Sequence, residues 1–145
     1  MATEEKTAAA AWSLVWQIFQ SDKPRRWGLL AEHGLTPVQG MALSSLDADD
    51  PPTMSQLSGL IMCDSSTLTG VVDRLEAVGI VERRPAPNDR RARCVALTEH
   101  GREVQARLRA AMAPPPPVLE HLTSEEAAQL YDLLATALER EAAAS

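Results

Sequence analysis

The segment from Asp64 to Gly101 constrains the fold most. It runs through a helical repeat, a glycine, a short β-branched run, a basic loop and a second β-branched run. Between Ser66 and Val78 the residues Leu68, Val71, Val72 and Leu75 recur at helical spacing and predict one buried stripe. Gly79 then stops the helix as a residue suited to left-handed backbone. Ile80 to Arg84 and Arg93 to Leu97 are short and β-branched, which predicts two strands. Pro85 to Ala92 joins them as a hairpin loop. Thr98-Glu99 caps a further helix through Val104 and Leu108 to about Met112. A helix beside a basic hairpin suits a chain that puts one helix into the major groove of DNA and a wing next to it.

Charge distribution sharpens this expectation. The formal net charge of −6 argues against a nucleic-acid partner when taken alone. Yet nine of the fourteen cations lie between Arg74 and Arg109, with only five acids among them. A local basic field on an acidic body is an electrostatic footprint for DNA.

The flanking signals come in a consistent order. Residues 1–7 read as a frayed end. From Ala8 to Gln20, Trp12, Val15, Trp16 and Phe19 share one face of an amphipathic helix. Lys23-Pro24-Arg25-Arg26 interrupts it, because proline cannot continue a helix without a kink. Trp27 to Glu32 forms a second short piece, ended by His33-Gly34. Thr36-Pro37-Val38-Gln39 is a capping box with proline at the first helical position, opening a helix to about Leu46. Asp47 to Pro52 is a loop. Thr53-Met54-Ser55-Gln56 is a second capping box, with Leu57, Leu60 and Ile61 turned inward. Asp64 or Ser65 caps the next helix. Further on, Pro114 to Pro117 forms a stiff extended spacer, with a proline-rich recognition ligand as the alternative. Thr123-Ser124-Glu125-Glu126 is a third capping box, before a last helix with Leu130, Tyr131, Leu134 and Leu138 on a broad apolar face.

These elements predict a mainly α fold with a small β-hairpin wing, a winged helix-turn-helix. On its second helix Ser65, Ser66, Thr67 and Thr69 are candidate donors to phosphates or bases. Gly70 allows close backbone approach, and Arg74 flanks the face. Asp73 suits this place only if it pairs with an arginine or accepts from cytosine. Arg83, Arg84, Arg90, Arg91 and Arg93 form a basic finger, whose tip suits a narrow minor groove. Asp89 is expected to hold a neighbouring arginine in one rotamer.

Leu35-Thr36-Pro37-Val38-Gln39 through Leu46, Val72-Asp73-Arg74-Leu75-Glu76, Gly79-Ile80-Val81-Glu82-Arg83, Asn88-Asp89-Arg90-Arg91 and Leu97-Thr98-Glu99-His100-Gly101 together resemble the successive signatures of the MarR family (multiple antibiotic resistance regulators). Leu122-Thr123-Ser124-Glu125-Glu126 followed by Leu133-Leu134 resembles the start of its last helix. The resemblance covers about residues 10–140. It implies a winged-helix homodimer on a pseudo-palindromic operator of double-stranded DNA, dimerised through terminal helices. Asp89 and Arg91 match the family's wing Asp-x-Arg pair, whose arginine goes to the minor groove. The chain then reads as one domain over 1–145, with 35–101 as the winged lobe and 8–33 and 102–143 as dimerisation helices. Two features depart from the pattern: the tetraproline spacer and the break at Pro24.

The terminal helices ask for a partner without the resemblance, since a small winged domain cannot cover both apolar faces. Members of the family are often released from DNA by small aromatic anions or oxidants and sometimes by metals, so the resemblance implies a repressor with a small aromatic or phenolic effector. Trp12, Trp16, Trp27, His33 and Met41 are the candidate apolar effector lining, with Arg25 or Arg26 for a carboxylate; the competing reading makes the tryptophans dimer core. His33, His100 and His121 show no metal spacing, so no metal site is expected. Cys63 and Cys94 read as small buried hydrophobes, and oxidant sensing would need an accessible, activated thiol. No Gly-rich phosphate loop, HExxH, GxSxG or CxxC occurs, so neither a cofactor nor enzymatic activity is expected. Met1 to Lys6 lacks the basic and apolar regions of a signal peptide and no apolar run is long enough to span a membrane, so a cytoplasmic location is expected. The alternative function is a ligand- or thiol-based sensor that acts through a protein partner.

Overall fold

The computed structural model describes residues 7–144. The reading of 1–7 as frayed therefore falls outside it except at Thr7, which is an N-cap whose side chain accepts from the Ala10 amide. The helices are α1 (Ala8–Ser21), α2 (Lys23–Glu32), α3 (Pro37–Ser44), α4 (Met54–Leu60), α5 (Ser65–Ala77), α6 (Glu99–Met112) and α7 (Ser124–Ala144), with strands β1 (Val81–Ala86) and β2 (Asp89–Leu97) between α5 and α6. A 3-10 turn covers Pro117–His121. The result is a mainly α fold with one antiparallel hairpin.

The chain forms two compact units, one from residues 24–114 and one from the two ends. In the first, Leu68, Val71, Val72 and Leu75 of α5 are all buried, as their spacing requires. They pack with Leu43, Leu57, Ile61, Val81, Val95 and Leu97 in one core. That core reaches past residues 35–101, because Leu30 of α2 and Val104 and Leu108 of α6 also join it. Both capping boxes are formed: Thr36 with Gln39 and Thr53 with Gln56 exchange side-chain and backbone bonds. At the start of α6, Thr98 caps the Gly101 amide at 2.9 Å.

Several boundaries differ from expectation for identifiable reasons. Pro24 does not interrupt the chain over four residues. It lies in the first turn of α2, where its missing donor costs nothing, and the break narrows to Asp22. Leu60 is 61% exposed rather than inward, because α4 ends there; Leu57 and Ile61 join the core and Met54 packs against it. The expected loop from Pro85 to Ala92 is mostly strand. Ala86 pairs with Asp89 across Pro87-Asn88, and a register shift follows between Pro85 and Ala86. Pro85 pairs with Arg93, so Arg90, Arg91 and Ala92 bulge from β2 opposite that shift. Of the four prolines, the first three precede the 3-10 turn and Pro117 begins it.

In the second unit no residue of α1 or α7 is buried. Thr123 and Glu126 form the third capping box, with the Thr123 amide donating to Glu126 Oε2 at 2.8 Å. That bond and the Thr123 hydroxyl hold the Glu126 carboxyl below its ordinary pKa.

Candidate nucleic-acid interface

With its four apolar residues buried, α5 turns Ser66, Thr69, Gly70, Asp73 and Ala77 to solvent. Its start is organised by Asp64. One carboxylate oxygen accepts from the Thr67 amide at 2.8 Å and the Ser66 hydroxyl at 2.6 Å; the other accepts from the Thr67 hydroxyl at 2.7 Å. These bonds, the Ser66 hydroxyl foremost, hold the Asp64 carboxyl far below the usual carboxylate range. The Thr69 hydroxyl donates to Ser65 O at 2.8 Å. In the DNA-free chain the Ser66 and Thr67 hydroxyls thus bond the Asp64 cap and the Thr69 hydroxyl the helix backbone, so donation to DNA would require these hydroxyls to rotate. Ser65 stays exposed.

The connection into α5 is tight. Met62 has φ +49° and is 89% exposed, and Ser58 Oγ donates to Cys63 O at 2.6 Å. Thr53 bridges to Cys94 and the Val95 amide donates to Pro52 O at 2.9 Å, which ties the start of α4 to the wing.

The arginines divide into two groups. Arg83 and Arg84, expected in the basic finger, are engaged by acids. Arg83 donates to Asp73 Oδ1 and to Glu76 Oε2, each at 2.6 Å, and Arg84 pairs with Glu82. Partial burial opposes the charge on Arg83, but Asp73 and Glu76 outweigh it and hold the guanidinium above its usual pKa. Arg74, Arg90, Arg91 and Arg93 are exposed, and among the described residues none makes an ion pair. Asp89 braces the chain rather than a rotamer: its Oδ1 accepts from the Arg91 backbone amide at 2.9 Å. Sequence reasoning left open that Asp73 pairs with an arginine, and it does, but neither Arg83 as that partner nor Glu76 as the second acid was foreseen. The signal for this group was the i, i+3 spacing of two acids on one flank of α5, followed by an arginine just beyond the glycine stop.

Beside α5 lies a cleft of about 270 Å³ lined by Thr36, Gln39, Thr67, Gly70 and Arg74 among others. A second, of about 350 Å³, lies between Ser44 and the α6 residues Gln105, Leu108, Arg109 and Met112. None of the candidate effector residues lines either. Trp12 and Trp16 are exposed on α1, Trp27 and Met41 are about half exposed, and His33 Nδ1 bonds Leu29 O at 2.8 Å as a helix-end residue. Arg25 donates to Pro114 O at 3.2 Å. Cys94 is buried and Cys63 half-buried; both are free thiols. Among the described residues no group of His, Cys, Asp or Glu is arranged to hold a metal, and no helix is long and apolar enough to cross a membrane.

A helix-turn-helix with a basic two-stranded wing defines a winged helix-turn-helix protein. The MarR family model matches residues 35–92. The transcriptional repressor MdtR of Bacillus subtilis is 31% identical over 81% of this chain and 77% of its own length. The transcriptional repressor NicR of Pseudomonas putida is 38% identical over 46% of this chain and 42% of its own. Wild-type MarR from E. coli in its apo form superposes with a TM-score of 0.75 at 28% identity, over 87% of this chain and 95% of that one. A mutant MarR from E. coli complexed with operator DNA gives 0.65 at 28% identity, over 87% and 91%. The chain belongs to the MarR family. It spans about half the length of several curated relatives that it matches.

Proposed function

We propose that the chain is a DNA-binding transcription regulator, a homodimeric repressor that a small aromatic or phenolic effector releases from a pseudo-palindromic operator. One observation carries this reading: the small, polar outer face of α5 stands beside a wing whose Arg90, Arg91 and Arg93 are exposed and free of ion pairs. Positive charge committed to no acid within the chain is available to phosphates and to a narrow minor groove. Likeness to a MarR solved with operator DNA supports the same partner.

In this reading the 145 residues form one MarR-type domain. Residues 35–101 are the winged lobe, and 8–33 and 102–143 are dimerisation helices. The exposed Trp12, Trp16, Tyr131, Leu133, Leu134 and Leu138 favour a second copy as the partner of α1 and α7. Two recognition helices then sit about one DNA turn, roughly 34 Å, apart. Ser65, Ser66, Thr67, Thr69, Gly70 and Arg74 face the major groove, Arg90, Arg91 and Arg93 the backbone or minor groove, and Asp89 shapes the loop that carries them. Trp12, Trp16, Trp27, His33 and Met41 remain the residues proposed to meet an effector, with Trp27 and Met41 about half exposed and Trp12 and Trp16 shared with the proposed dimer face.

A mobility-shift titration on the DNA upstream of its own gene, with and without phenolic acids and peroxide, tests the reading. Retarded bands that a phenolic acid abolishes are expected. No band at low salt would sink DNA binding and favour a sensor acting through a protein partner.

A further inference from the structure

We propose that Arg83 is a positioning residue that clamps the wing to the recognition helix and does not itself touch DNA; this rests on the DNA-binding reading above. The two carboxylates it engages, Asp73 and Glu76, sit one turn apart on the same flank of α5. Its Nη2 reaches Asp73 Oδ1 at 2.6 Å and Thr69 O at 3.5 Å, and its Nη1 reaches Glu76 Oε2 at 2.6 Å. Its backbone amide donates to Glu76 Oε1 at 3.1 Å, so main chain and side chain are tied to one helix. A planar guanidinium can span two acceptors in this way, whereas a lysine ammonium offers only a point charge.

Position along the hairpin gives the clamp its leverage. Among the described residues, no hydrogen bond from β1 to α5 lies beyond Arg83 toward the tip, and β2 is held at the same level by Pro52 and Thr53 through Val95 and Cys94, so Arg83 sets the helix-facing side of the wing's base. The turn at Pro87-Asn88 is four to five residues further, roughly 15 Å at strand rise. A tilt of about 10° at the clamp would move the turn by about 2–3 Å and the backbone of Arg90, Arg91 and Arg93, two to three residues beyond Arg83, by about 1–2 Å at that rise, enough to lengthen a guanidinium–phosphate hydrogen bond past its range. The clamp also offsets Asp73 and Glu76, whose free charges would repel phosphates. Partly exposed ion pairs contribute little to stability, so the fold should survive its loss.

The test uses the duplex that the wild-type chain enriches from a random-sequence library. Affinities are compared for wild type, Arg83→Gln, Asp73→Asn and the double variant, with amide hydrogen exchange at residue 83 in the DNA-free protein and in Glu76→Ala. Each single change should weaken binding about tenfold, and the double no more than the worse single, because both break one unit. The amide should lose protection in Glu76→Ala while the thermal midpoint stays close to wild type. Tighter binding by Asp73→Asn would mean that a freed Arg83 contacts DNA, and would overturn the proposal. Unchanged binding by Arg83→Gln, or additive losses, would overturn it too. If the wild type enriches no duplex, the DNA-binding reading falls and this role with it, whereas enrichment without the expected pattern removes the clamp alone.

Discussion

Two residues at the entry to the recognition helix behave in ways that exposure alone would not foretell. Met62 lies almost wholly in solvent, where a hydrophobic swap normally changes little. Its φ of +49° makes it a strained site for any side chain and worst for a β-branched one. Met62→Ile should therefore cost about 1 kcal/mol in urea unfolding, within the range for forcing a side chain into left-handed backbone; a neutral result would contradict the strain. Asp64 is the second case. Its folded-state pKa is depressed from 3.8, so its stabilisation is in full force above that value and is lost as pH falls toward the lowered one. Asp64→Asn should flatten the acid limb of the stability curve below about pH 4 and leave its shape near neutrality unchanged. The need for a cap was legible in the sequence, which left Asp64 and Ser65 open. That Asp64 would capture two hydroxyl protons was not, because it depends on rotamers no spacing encodes.

Among the elements, helices were more legible than the wing. Capping boxes at Thr36, Thr53 and Thr123 mark starts through local chemistry, and all three are formed. The stripe on α5 followed from period alone. Strand lengths did not, because Pro85 and the Arg90–Ala92 bulge resemble loop until cross-strand pairing extends both strands. Leu60 departs from expectation for a similar reason: a helix of seven residues ends before its periodicity can be read. Packing between elements gives a sharper prediction. A Cβ on Gly101 would fall 1.9 Å from Ile80 O, where α6 crosses the start of the wing. On Gly40 it would meet only the movable end of Leu30. Gly101→Ala should lower stability by about 2–3 kcal/mol, and Gly40→Ala by about 1 kcal/mol, in denaturant titrations. Equal losses would mean that the backbone near Ile80 yields as readily as a leucine side chain.

For the whole molecule, the exposed faces of α1 and α7 carry the assembly argument. Tyr131, Leu133 and Leu138 are each more than 70% exposed in the single chain, and Trp16 stacks with Phe19 at 5.7 Å in the open. Faces of this kind mark interfaces on monomers. Sedimentation should find two chains of 15.7 kDa together, and Leu134→Glu should give one chain and abolish tight DNA binding. A monomeric wild type would contradict this. The broad apolar faces of α1 and α7 were legible from their helical spacing, and both are exposed in the single chain. Which arginines would be free was not legible, since pairing of Arg83 and Arg84 depends on the tertiary approach of α5 and β1. The central claim is that the free wing arginines bind duplex DNA. Its most direct test is affinity for an enriched duplex against salt, in wild type and in Arg91→Ala. A steep negative log–log slope is predicted, shallower in the variant by about 0.9 for each phosphate left without its arginine, with binding at least roughly tenfold weaker. Equal affinity and equal slope for the two proteins would contradict it.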